Sequence, residues 1–437
     1  MRKRRYLAAW LLVGMVCVGC NRSPDPSASG TSSDGSSMNT IAEQYVRLTL
    51  LVGQHDSDYV DAYYGPPEWR PSDDKVSLDE LSKRAAVLSE QAQAIGEPGE
   101  EMARLRLRYL RSQLSAMNAR LRMLEGERLT FDEESRALYD ATAPLLPESH
   151  FQQVLDELET RFPGPGPLVQ RYDAWRRPFV ITKEKLDHVF RTAIEACRER
   201  TAAHLRLPAG ESFTVEYVTN KSWSGYNWYQ GGFRSLIQVN TDLPIYIDRA
   251  VDLACHEGYP GHHVYNVLLE KSLVRDRGWM EFTVYPLFSP QSLIAEGTAN
   301  YGIQVAFPGD DRIAFEEKVL FPAAGLDPTT AKEYYAVQSL VEKLSYAGNE
   351  AARRYLNGQI DAKGATAWLE KYALMPAERA AQRVRFFDQY RSYVINYNLG
   401  KDMVRDYIES RAHEDANRRW EEFGRLLSSP RLPSGLE

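Results

Sequence analysis

Between Ala254 and His263 the chain reads Ala-Cys-His-Glu-Gly-Tyr-Pro-Gly-His-His, which places three of its eight histidines beside a carboxylate. Imidazoles and carboxylates at that density suit zinc ligation, with a neighbouring carboxylate left as proton acceptor. The usual pattern is His-Glu-x-x-His on a helix, because residues four apart lie about 40° apart and share a face. Here Pro260 stands where the second histidine belongs. His256 and His262 are about 240° apart around an unbroken helix and would point away from each other. His256 and His263 share a face but stand about 10 Å apart in rise, too far for one ion. Proline lacks a backbone donor and clashes with the preceding turn, and Gly261 adds a free hinge. A break at Pro260-Gly261 is therefore expected, after which either His262 or His263 could join His256.

The spacing of Ile245, Ile247, Ala250, Val251 and Ala254 predicts a helix from Leu243 to Cys255 that ends on the His-Glu pair. A zinc site of this kind needs a third protein ligand and an open position. Glu296 is the candidate. It lies in a helical pattern from Ser292 to Tyr301, among Ala295, Gly297 and Ala299, which are small enough to admit a close second helix. The expected chemistry is hydrolysis, with His256, His262 and Glu296 holding Zn²⁺ and Glu257 taking a proton from water. Asp252, one turn before His256, is placed to orient that imidazole. The plain alternative is that the three histidines only cap or pack a helix end.

These blocks resemble a known family. His-Glu-Gly-x-Pro-Gly-His-His followed by Glu-Gly-x-Ala-x-Tyr is similar to the bacterial domain of unknown function 885, grouped with the gluzincin-like zinc metallopeptidase clan and distantly similar to thermostable carboxypeptidases. Tyr397-Asn398-Leu399-Gly400-Lys401 resembles the family's closing Tyr-x-x-Gly-Lys signature, and Asp61-Ala62-Tyr63-Tyr64-Gly65-Pro66 resembles its opening segment. The likeness spans roughly residues 40–430, with Thr298 where the family has tryptophan. It implies a peptidase acting on peptide substrates, with Tyr397 as donor to the developing oxyanion and Tyr393 and Arg391 behind it.

The elements that must position these residues read as mainly α, a large multi-helix zincin-like domain over 39–437. Ser77-Leu78-Asp79-Glu80 opens one helix with a capping-box pattern. Leu107, Leu110, Leu114, Met117 and Leu121 form a stripe along another between Pro98 and Glu127. Residues 212–240 alternate instead, and predict a small antiparallel sheet before the metal-site helix. The edge of such a sheet can hold a substrate backbone by strand addition, with Tyr226 and Tyr229 lining the groove, or can be an aromatic hairpin packed on the helices. Cys197 and Cys255 read as buried thiols rather than nucleophiles.

At the N-terminus, Arg2-Lys3-Arg4-Arg5 and an apolar run to Gly19 read as a signal peptide too short to span a bilayer comfortably. It ends in Cys17-Val18-Gly19-Cys20, which resembles a lipobox, so Cys20 is the expected lipidated residue. Asn21 at the next position favours the outer membrane, facing the periplasm. The Ser/Gly/Pro-rich residues 21–38 read as a flexible tether. A net charge of −7, more negative once the signal is removed, argues against nucleic acid as a partner and leaves the lipid anchor as the membrane contact. The competing function is a non-catalytic zincin-like lipoprotein that binds a peptide or a partner.

Overall fold

The computed structural model describes residues 31–436. The signal peptide, Cys20 and the first part of the tether lie outside the described residues. The fold is mainly α, as the periodicity predicts. Among the described residues, no helix is long and apolar enough to cross a membrane. The first helix, Thr31–Val52, begins inside the segment expected as tether, with Met38 already buried. Composition misleads there because Met38, Ile41, Ala42 and Tyr45 share one face that docks into the core.

Helices form where sequence signals are strong. Ser77 accepts a hydrogen bond from the Glu80 amide and caps Leu78–Ala94. Leu107, Leu110, Leu114, Met117 and Leu121 are buried along Glu101–Leu124. Two hydrophobic clusters result. One joins the N-terminal helices to residues 337–395, and the other gathers much of 181–334 with the C-terminal helices. They meet along Pro290–Ala306, which sends Leu293 into the first and Ile294, Ala295, Tyr301 and Val305 into the second.

The sheet departs from expectation. β2 (Ser212–Val218), β3 (Gly225–Gly231) and β4 (Arg234–Asn240) lie in the order β2-β4-β3, with β3 antiparallel and β2 parallel to β4. Alternation reports which face is buried, not strand direction, so the mixed pairing was not legible. A second pair was missed altogether: β1 (Val60–Tyr63) runs antiparallel to β5 (Val284–Pro286). Two strands this short carry almost no periodic signal, yet β1 carries Asp61 toward the site.

One buried ion pair ties the sequence-distant parts together. Arg106 Nε and Nη2 donate to Glu281 at 2.5 and 2.9 Å, and Arg106 Nη1 donates to Asn39 at 2.7 Å. Arg106 and Glu281 are 3% and 0% exposed, so removing one charge leaves the other uncompensated in the core. Glu281→Gln is expected to destabilise the fold by about 3 kcal/mol, measured as a lower denaturant midpoint. An unchanged midpoint would show that the pair contributes nothing.

Candidate metal centre

The helix Asp248–Leu253 passes into a wide turn over Ala254–Gly258, and the chain then extends through Tyr259 to a cis Tyr259-Pro260 bond. Gly261 donates its amide to the Cys255 carbonyl at 2.9 Å, and the next helix, His262–Leu269, starts immediately. A Cβ at Gly261 would overlap the His256 carbonyl oxygen, so only glycine permits the chain to fold back this tightly. The expected break is present. It brings the His256 and His262 rings together, with centroids 4.6 Å apart at 88°. Their Nε2 atoms lie 3.2 and 3.7 Å from Glu296 Oε2.

Glu296 reaches this point because its helix packs unusually close to Ile395–Ala412. A side chain on Gly297 would overlap the Gly400 carbonyl, and one on Gly400 would lie 2.7 Å from the Leu293 carbonyl oxygen. The Glu-Gly and Gly-Lys blocks are therefore two halves of one crossing. Gly297→Ala is expected to cost about 1–3 kcal/mol by overpacking. The same variant should weaken zinc binding, because the crossing sets where Glu296 sits. Titration of the variant with zinc checks this, and wild-type affinity and stability would refute it.

Asn300, one helical turn beyond Glu296, fixes the imidazole of His256. Its Nδ2 donates to the Tyr397 carbonyl at 3.1 Å, which leaves Oδ1 as acceptor for His256 Nδ1–H at 3.1 Å. His256 Nε2 is then a bare lone pair facing a carboxylate oxygen. Tyr393 donates to the other oxygen, Glu296 Oε1, at 2.8 Å. Asp252 does not orient His256; it pairs with Arg249 at 3.0 Å and Arg312 at 2.8 Å.

Ligand atoms of His256, Glu257 and His262 lie within 4.8 Å of one another. Glu257 Oε2 and Glu296 Oε2 are buried without a hydrogen-bond partner. Burial pushes the Glu257 carboxyl up to about 7, with His262 opposing and Glu296 assisting. Burial raises Glu296, and when the two imidazoles carry a proton toward it they outweigh burial and hold this carboxyl below the ordinary range. Asp61, bonded by the Tyr226 hydroxyl, is pushed up to about 6 by burial. Buried carboxylate oxygens without donors, close to the His256 Nε2 lone pair and the His262 ring, are a donor set that fits a cation such as Zn²⁺. All three acids, both histidines and Tyr397 line one cavity of about 1020 Å³.

Of the other expected residues, Tyr226, Tyr393 and Tyr397 line this cavity. Tyr229 does not: it is buried and donates to Glu270 at 2.6 Å, pinning the β3–β4 hairpin to a helix. Arg391 is also elsewhere, its Nε donating to Glu134 at 2.6 Å. His263 is fully buried between Ser235 and Glu211, at 2.9 Å from each, so the ring that meets His256 is that of His262. Cys197 and Cys255 are buried free thiols. Sequence reasoning gave no role to Asp61 or Asn300. The four-residue step from Glu296 to Asn300 was a readable signal; the approach of Asp61, through a strand pair, was not.

No family model and no curated protein matches the chain. The expected family membership accordingly stands on its motifs alone. In structure the chain is similar to a candidate lipoprotein from Colwellia psychrerythraea, at 16% identity and a TM-score of 0.48, over 84% of this chain and 69% of that one. It is also similar to a candidate lipoprotein of unknown function from Shewanella oneidensis, at 14% identity and a TM-score of 0.46, over 82% and 72% of the two chains.

Proposed function

We propose that the chain is a zinc-dependent peptidase of the cell envelope, held to the membrane through a lipidated Cys20. The observation that carries the reading is Glu257: a buried carboxylate with an unpartnered oxygen beside two imidazoles, which Glu296 approaches at 3.2 and 3.7 Å as an alternative third ligand. His256, His262 and Glu296 are the residues that would hold Zn²⁺. The ion supplies Lewis acidity, polarising an amide carbonyl and acidifying water.

The chain's own residues account for the rest. Glu257 accepts the proton of the attacking water and delivers it to the leaving amine; the water oxygen joins the carbonyl carbon as the C–N bond breaks. Tyr397, in the same cavity, donates to the developing oxyanion. Tyr393 and Asn300 hold Glu296 and His256 in place. β3 is an edge strand whose residues 225–227 border the cavity, so an extended peptide can pair with it.

The competing reading is a lipoprotein that binds peptides without turnover. A binder has no use for a buried base beside its metal, and Glu257 weighs against it. The test is zinc content together with hydrolysis of a peptide pool. Stoichiometric zinc and new amino termini support the proposal. Zinc without cleavage leaves the binder, and no zinc after loading sinks both.

A further inference from the structure

Resting on the peptidase reading, we infer that Asp61, set among tyrosines, is a subsite for an ammonium group of the peptide, next to the bond that is cut. Four of the acids that line the metal cavity already hold a basic side chain. Asp248 pairs with Arg176 at 3.1 Å, Asp252 with Arg312 at 2.8 Å, Glu409 with Arg419 at 2.6 Å and Glu342 with Lys401. Glu257 and Glu296 belong to the metal site. Asp61 is the acid left over. Among the described residues its carboxylate accepts one hydrogen bond, from the Tyr226 hydroxyl, and no ion pair reaches it. A carboxylate has about four acceptor positions, so a single phenol leaves capacity for a donor that enters the cavity.

The surroundings select the charge of that donor. Asp61 stands on β1; β3 supplies Tyr226, β5 supplies Tyr285, and the end of Ala377–Tyr390 supplies Tyr390. All four line the same cavity. Burial, then the charge of Asp61, pushes the Tyr285 hydroxyl up. Burial, then Asp58 and Asp61, pushes Tyr390 up to about 12 against a hydrogen bond with Ser222. These phenols stay neutral, so the wall beside the carboxylate is aromatic and carries no charge of its own. Tyr226 is packed against Trp223 and Trp228, with ring centroids 5.3 and 4.5 Å away, which steadies the ring that donates to Asp61. Aromatic faces attract cations, and a carboxylate adds a charge-assisted hydrogen bond. Of these rings only Trp223 carries a side-chain cation among the described residues, Lys221 at 5.7 Å. The charge of Asp61 also reaches Glu257, and His262 and Glu296 act on Asp61, so the subsite adjoins the reacting atoms. A peptide offers such a group in two places, its free amino terminus and a lysine side chain.

The test is affinity selection on the zinc-loaded full chain carrying Glu257→Gln, which holds substrate without turning it over. The probe is a randomised tetrapeptide amide pool without charged side chains. It is offered with a free amino terminus, N-acetylated, and N-acetylated with one lysine. A positive charge met by Asp61 is expected to raise retention about 10- to 100-fold over the neutral acetylated pool. Retention of the free amino termini assigns the subsite to the α-amine, and retention of the lysine pool assigns it to the side chain. Adding Asp61→Asn, which keeps an acceptor for Tyr226, should remove the preference while zinc content stays at one ion. Equal retention of the three pools, or no retention at all, overturns the subsite. A preference that survives Asp61→Asn also overturns it, and so does loss of zinc in that variant, which would make Asp61 a ligand. If charged peptides are preferred but wild type cleaves none of them, the hydrolase reading fails while the subsite stands.

Discussion

Glu257→Gln is expected to lower turnover of a peptide pool by about 10²- to 10⁴-fold while leaving zinc content and stability unchanged. Glutamine keeps the shape of the side chain but accepts no proton, so the attacking water loses its base and the leaving amine its donor. A general base in its working geometry contributes that range. Burial pushes the carboxyl up to about 7, a range in which the proposed base can both take and return a proton. Asn227 Nδ2 donates to the Glu257 backbone carbonyl at 2.7 Å and holds the turn that aims the side chain. That bond survives the substitution, so a fall in turnover reports the carboxylate alone. Release of new amino termini from the pool, measured beside zinc content, decides the matter. A variant that retains zinc and cleaves at the wild-type rate would remove Glu257 from the chemistry.

The legible part of the site was that which helix geometry dictates. His256 and His262 could not meet on a continuous helix, so Pro260 and Gly261 had to break it, and they do. The small neighbours of Glu296 predict a close second helix, and Gly297 against Gly400 is where that approach occurs. What was not legible depends on packing between distant segments. Arg391 and Arg383 stand eight apart in one stretch and look alike as letters. One meets Glu134 from a remote helix, and the other meets no acid among the described residues. Tyr226 and Tyr229, three apart on β3, face opposite sides, but only the fold shows that Glu270 claims the second and the cavity exposes the first. His262 and His263 are adjacent, and the position of Ser235 on β4 and Glu211 just before β2 decides which one is diverted. Residue type announces that a group can do chemistry; the partner supplied by the fold decides whether it is free to.

Removing a ligand should have the largest effect on the metal itself. His256→Ala and Glu296→Ala are each expected to abolish stoichiometric zinc, since a three-residue set reduced to two leaves an ion held largely by water. Asn300→Ala should weaken binding by about 10- to 100-fold, because it only orients His256. His263→Ala should keep its zinc, as that ring is committed to Glu211 and Ser235. Competition with a chromophoric chelator orders the four variants. In the wild type, zinc at a hundred times its dissociation constant should add about 2.7 kcal/mol of stability, and chelation should remove it. The stabilisation should be absent in His256→Ala and Glu296→Ala. It arises because the unpartnered oxygens of Glu257 and Glu296 and the Nε2 lone pair of His256 face one another inside the protein. A cation removes that conflict, so filling the site and stabilising the fold are one event. Equal zinc content in wild type and His256→Ala would place the ion elsewhere and leave the convergence of these groups without a cause.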